Sequence, residues 1–154
     1  MEKSLRHRIL ENMVQVFSGV DEPDYPLKFS VVELGPLGEA DHRKRYSIGF
    51  VAVGERYKHQ FPYLECFLRV GIEYRITVNQ GDPSPGDMAE TLLTVIKQVV
   101  LANETWCGLA IKTEFQNTET DMTTYGDRTV MGVLWVEVHY RHAHGDPTDP
   151  YPSV

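Results

Sequence analysis

The densest run of potential metal ligands is His139-Tyr140-Arg141-His142-Ala143-His144-Gly145-Asp146. On an extended strand His142 and His144 point the same way, and Asp146 could add a carboxylate oxygen. Zinc asks for three or four ligands fixed on ordered backbone. This run passes straight into a Pro-rich segment, Gly145-Asp146-Pro147-Thr148-Asp149-Pro150-Tyr151-Pro152-Ser153-Val154. A solvated strand end fits it better, and no metal is expected. His7, His42 and His59 are scattered along the chain and define no site.

Other chemistry is equally thin. Glu65 and Glu73 fall on one face of a strand, each close to an arginine, which favours neutralised surface pairs over an acid–base couple. Cys66 and Cys107 lack metal spacing and are too few for a disulfide scaffold. Cys66 sits on an apolar strand face, where a thiol behaves as a small hydrophobe. Gly35 and Gly38 follow a strand without the spacing of a dinucleotide or phosphate loop. No Gly-x-Ser-x-Gly elbow occurs. The residues give no warrant for catalysis, and no cofactor is expected.

The chain of 154 residues is long enough for one domain with a substantial core. A net charge of −7 argues against a duplex-binding surface, which needs a basic patch. The one basic cluster, His42-Arg43-Lys44-Arg45, is short and reads as a solvated loop. No apolar run approaches the ~18 residues of a membrane span. Residues 1–8 lack the pattern of a signal peptide, so synthesis in the cytosol is expected.

These residues must be carried by elements that hydrophobic spacing makes legible. Leu5, Ile9, Met13 and Phe17 recur every four residues and predict a helix over 4–18. Strands are predicted over 27–34 and 46–54, followed by a loop or hairpin connection to Phe61. The strongest signal is 63–78, where Leu64, Cys66, Leu68, Val70, Ile72, Tyr74, Ile76 and Val78 alternate with polar residues. Such a strand reaches ~50 Å, whereas a globule of this size has a radius of gyration of about 15 Å. It must bend, for instance at Gly71, or project. Ser84 as N-cap and Pro85 at the first position open a second helix ending near Ala102. Strands over 109–116 and 128–141 follow, separated by a polar loop from Gln116 to Asp127.

The order α-β-β-β-α-β-β predicts an α+β fold: an antiparallel-rich mixed sheet of about five strands, with two helices on one face. Residues 1–144 form the single domain, and 145–154 are an extended tail that cannot pack alone. The other sheet face would carry Glu65, Arg69, Glu73, Arg75, Glu137 and Arg141. Such mixed charge is either solvated or a charge-complementary contact between subunits.

The element order resembles that of the tail terminator family of tailed bacteriophages, the tail-completion proteins like minor tail protein U. The likeness is carried by Phe61-Pro62-Tyr63-Leu64 entering the long strand, the helix 84–102, and Trp106-Cys107-Gly108-Leu109-Ala110-Ile111. It continues in the closing strand, from Asp127-Arg128-Thr129-Val130 through Trp135-Val136-Glu137-Val138-His139-Tyr140-Arg141, with its Gly-Asp-Pro tail. As residue pattern it covers about 61–147; the stretch 35–60 matches nothing in that pattern.

The resemblance implies a non-enzymatic virion subunit that closes into a hexameric ring. Such a ring caps the tail tube, ends its polymerisation, and offers the head–tail joining surface. The implied partners are further copies of the chain, the tail tube protein and a head–tail connector or neck protein. DNA would pass through the lumen without specific binding, and no membrane is involved. Glu114, Glu119, Asp121 and Asp127, in or beside the polar loop, are candidates to face the lumen or the tube. The competing expectations are another connector or tube subunit, or a small ligand-binding or metal-dependent domain.

Overall fold

The computed structural model describes residues 1–39, 44–121 and 129–151. It is mixed helix and sheet, with two helices and a six-stranded, mostly antiparallel sheet. Helix α1 spans Leu5–Ser18, and the Ser4 hydroxyl caps it by accepting from the His7 N–H at 3.1 Å. Leu5, Ile9, Met13 and Phe17 are fully buried, so the four-residue spacing marks its inner face.

Strand β1, Val31–Leu34, is shorter than the alternation at 27–34 predicts. Leu27 and Phe29 are buried in the core, and Phe29 meets Phe17 edge-on at 5.8 Å. Their alternation reflects packing beside α1 and not a ladder. Strand β2, Tyr46–Gln60, is longer than predicted. The residues read as a connection, Glu55 to Gln60, continue the strand past a bulge between Ala52 and Gly54. They are polar because most of them are exposed, which erases the period-two signal.

Strand β3, Tyr63–Thr77, follows a turn made only of Phe61 and Pro62. Its length is matched by its neighbours. Strand β5, Thr129–Ala143, pairs with it from Tyr63↔Ala143 to Thr77↔Thr129, and β2 pairs along nearly the same span. Three strands of 15 residues thus lie side by side. The even-numbered side chains of β3 and β5 join the buried faces of both helices in one hydrophobic cluster.

Helix α2, Pro85–Ala102, begins at Ser84, whose hydroxyl accepts from the Asp87 N–H. The chain then turns through Trp106, Cys107 and Gly108, all with positive φ. Strand β4, Lys112–Asp121, starts later and runs further than predicted. Gln116 to Asp121, read as loop, are strand, while the rest of that segment, including Asp127, lies outside the described residues. All but one residue of β4 is exposed, because it is the outermost strand. A sixth strand was not foreseen. Asp146–Pro150 (β6) folds back at Gly145 and pairs with the end of β5, so the C-terminal segment through Pro150 packs after all. Tyr151 stacks on Tyr63 at 4.9 Å beyond it.

Among the described residues, no helix is long and apolar enough to cross a membrane. His42 and Arg43 lie outside the described residues, while the Arg45 guanidinium donates to Asp82 at 2.8 Å.

Candidate functional site

The sheet face away from the helices is a lattice of cations, carboxylates and rings, built by register. Glu65 lies between Lys58 and Arg141, and Phe67 between Arg56 and His139. Arg69 lies beside Glu137, with Glu114 beyond it on β4. The side chains use these placements. Arg141 donates to Glu65 through Nε at 3.1 Å and Nη2 at 2.8 Å, and its guanidinium lies over the Tyr63 ring. Those bonds hold the Glu65 carboxyl below the usual carboxylate range. Arg56 stacks over Phe67 at 4.1 Å and donates to Glu137 at 3.2 Å. Arg69 lies over Trp135 at 4.4 Å. Gly71 leaves the space for that ring, since a Cβ there would stand 2.7 Å from it.

All six charged residues predicted for this face are therefore on it, but they are used differently. Glu65 and Arg75 are buried, Arg69 is exposed, and the others lie between. Arg75 donates to the carbonyls of Gly38 and Glu39, and Glu73 accepts from the Leu37 N–H at 3.1 Å. These two hold the segment 35–39 across one end of the face. A groove of about 470 Å³ opens beside it, lined by Leu37, Glu73, Glu119, Met131 and Val133 among others. The described acidic candidates, Glu114, Glu119 and Asp121, are exposed along β4. Lys112 donates to Glu114 and holds its carboxyl below the usual range.

His139 stacks on Phe67 at 4.5 Å with its rings nearly parallel, and neither ring nitrogen has a hydrogen-bond partner. Its nearest carboxylate oxygen, on Glu65, is 3.7 Å away, with Arg141 and Lys112 opposing a further positive charge. Burial is the largest influence and pushes its pKa below the ordinary histidine value. The unfolded chain therefore takes up this proton first as pH falls. His139 subtracts stability as pH drops through the ordinary histidine range, until the folded ring is protonated too. Urea midpoints measured between pH 7.5 and 5.5 should fall, and His139→Phe, which keeps the stack, should flatten that slope.

The histidine run of β5 does not converge. His142 Nδ1 lies 2.8 Å from the Ala143 carbonyl, His144 packs beside Phe61, and Asp146 accepts from Thr148. Among the described residues no three His, Cys, Asp or Glu side chains are grouped to hold a metal ion. Burial pushes the Cys66 thiol up to about 11, so it is a thiol at neutral pH, whereas Cys107 is exposed.

A polar contact inside the helix-side packing escapes sequence reading. The bulge in β2 turns Glu55 toward that side, where it accepts from the Tyr140 hydroxyl at 2.8 Å and lies 3.9 Å from Arg6 of α1. A bulge moves a residue to the other face, and no residue pattern near Ala52 announces it. Tyr140→Phe removes one donor from this covered carboxylate, which keeps Arg6 nearby, and should cost about 1 kcal/mol in chemical unfolding. No family model matches the chain, and no curated protein is significantly similar to it.

Proposed function

We propose that this chain is a structural subunit that closes into a ring, acting as a phage tail terminator: it caps the tail tube and presents the head–tail joining surface. The observation that carries this reading is the sheet itself. Three full-length strands present one broad face in which charge is largely matched by charge or by aromatic rings. Such a face has the width of a contact surface, and its side chains are already ordered. The likeness of 61–147 to tail terminators supplies the kind of assembly. A heterologous ring needs two different patches per copy, and a sheet with unlike ends offers them.

Native mass spectrometry and electron microscopy of the purified protein, alone and with tail tubes, test the reading. A six-membered ring that ends tube growth supports it. A chain that stays monomeric with tubes present overturns it, and rings stacked into long filaments would make it a tube subunit instead.

A further inference from the structure

The strand order β1-β2-β3-β5-β4 leaves two open edges. On one side β1 covers only Ser47 to Phe50 of β2, so 51–60 has no strand outside it among the described residues. On the other, all ten residues of β4 form the outer edge among the described residues. Each edge presents a row of backbone N–H and C=O groups free to pair with another chain.

We propose that the joint between copies is a continuous sheet, with the β4 edge of one copy pairing with β2 residues 51–60 of the next. This rests on the ring reading above and names the surface that makes it. Three observations carry it. The first is charge. The β4 edge exposes Glu114, Glu119 and Asp121 against one cation, Lys112, whereas the exposed charges of the β2 edge are Arg56 and Lys58. Joining β4 to β4 would set carboxylates against carboxylates, and joining β2 to β2 would oppose cations. The unlike pairing is the one that sets the net acidic edge against the net basic one.

The second is apolar surface. Phe115 on β4 and Tyr57 on β2 are both exposed, and both point to the helix side, opposite Val136 and Cys66 respectively. In the joined sheet they lie along the same side of the seam. The third is direction. Strand β4 is antiparallel to β5, β5 to β3, and β3 to β2, so β4 runs opposite to β2. Rotation about an axis roughly along the strands preserves direction. The seam is then antiparallel, the stronger pairing, and every joint repeats.

Two variants at exposed positions test it. Glu114→Lys with Glu119→Lys blocks the β4 edge, and Val53→Glu with Lys58→Glu blocks the β2 edge. By native mass spectrometry each alone should lose the ring and run as monomer. An equimolar mixture pairs each intact edge with its intact partner and also sets the β4 lysines against the β2 glutamates, so it should regain assemblies in which the two variants occur 1:1. Amide exchange of the unmodified protein should slow in both 51–60 and 112–121 as rings form, which reads the seam without any substitution.

If both variants keep the ring, or if exchange in these two segments does not change on assembly, the seam is elsewhere and the ring reading survives. If the β2-blocked variant dimerises by itself, the joint is like-to-like and the proposal fails. An unmodified protein that remains monomeric with tail tubes present overturns both.

Discussion

Replacing Trp106 by Ala is expected to cost about 3–5 kcal/mol, the loss of a fully buried core residue. Trp106 is fully buried although it lies in the turn between α2 and β4. Its backbone is held at φ 45, a conformation that costs a non-glycine residue about 1–2 kcal/mol. Burying the indole offsets that strain. The indole Nε1–H donates to the Thr113 hydroxyl at 2.8 Å, and that hydroxyl donates to the Glu104 carbonyl. One side chain thus fastens the end of α2 to the start of the outer strand. Trp106→Phe keeps most of the volume and loses only the donor, so its loss should be a fraction of the alanine value. Urea unfolding of the two variants separates packing from hydrogen bonding. An alanine variant within 1 kcal/mol of the parent would contradict this account.

Gly132→Ala is expected to destabilise by about 1–3 kcal/mol, or more, although it adds a single methyl. A Cβ at Gly132 would stand 2.4 Å from the Tyr74 ring and 2.8 Å from the Glu119 carbonyl oxygen. Tyr74 crosses beneath the glycine so that its hydroxyl meets Thr120 at 2.7 Å. The ring is buried and bonded at its far end, and the carbonyl belongs to the β4 ladder, so neither yields cheaply. Gly54→Ala is the control, since no atom lies within 4 Å of its Cβ position. A thermal melt in which both variants match the parent would remove the close approach as a constraint.

The helices and the central strand were legible because burial writes itself into spacing. Leu5 to Phe17, Met88 to Val99 and the even positions of β3 all face one core, and each shows the period of its element. What failed to show was set by exposure or by register. Most of the outer half of β2 and of β4 is wetted on both faces, and the inward residue Glu55 is itself polar, so no alternation marks Glu55–Gln60 or Gln116–Asp121 as strand. The return of Asp146–Pro150 depends on a neighbour supplied by β5, which local composition does not reveal. The charged face was legible as a list of residues, because odd positions on β3 and β5 share a side. Its pairings were not, because Arg141 with Glu65 and Arg56 with Glu137 follow from which strands lie adjacent. Arg75 was read as surface and is buried, since nothing near it in sequence shows that 36–39 folds over it.

The equal length of the three central strands also bears on the order in which the chain finds its structure. Strands β2 and β3 are neighbours in sequence, joined by two residues, so they can zip as a hairpin at little entropic cost. Strand β5 must return across α2 and the Trp106 turn before its first bond with β3 forms. Its 15 registered pairs reward that closure only once it is complete. Until then β3 offers a long bare edge, and the newly made chain is most open to wrong partners along the same strand that later lies at its centre.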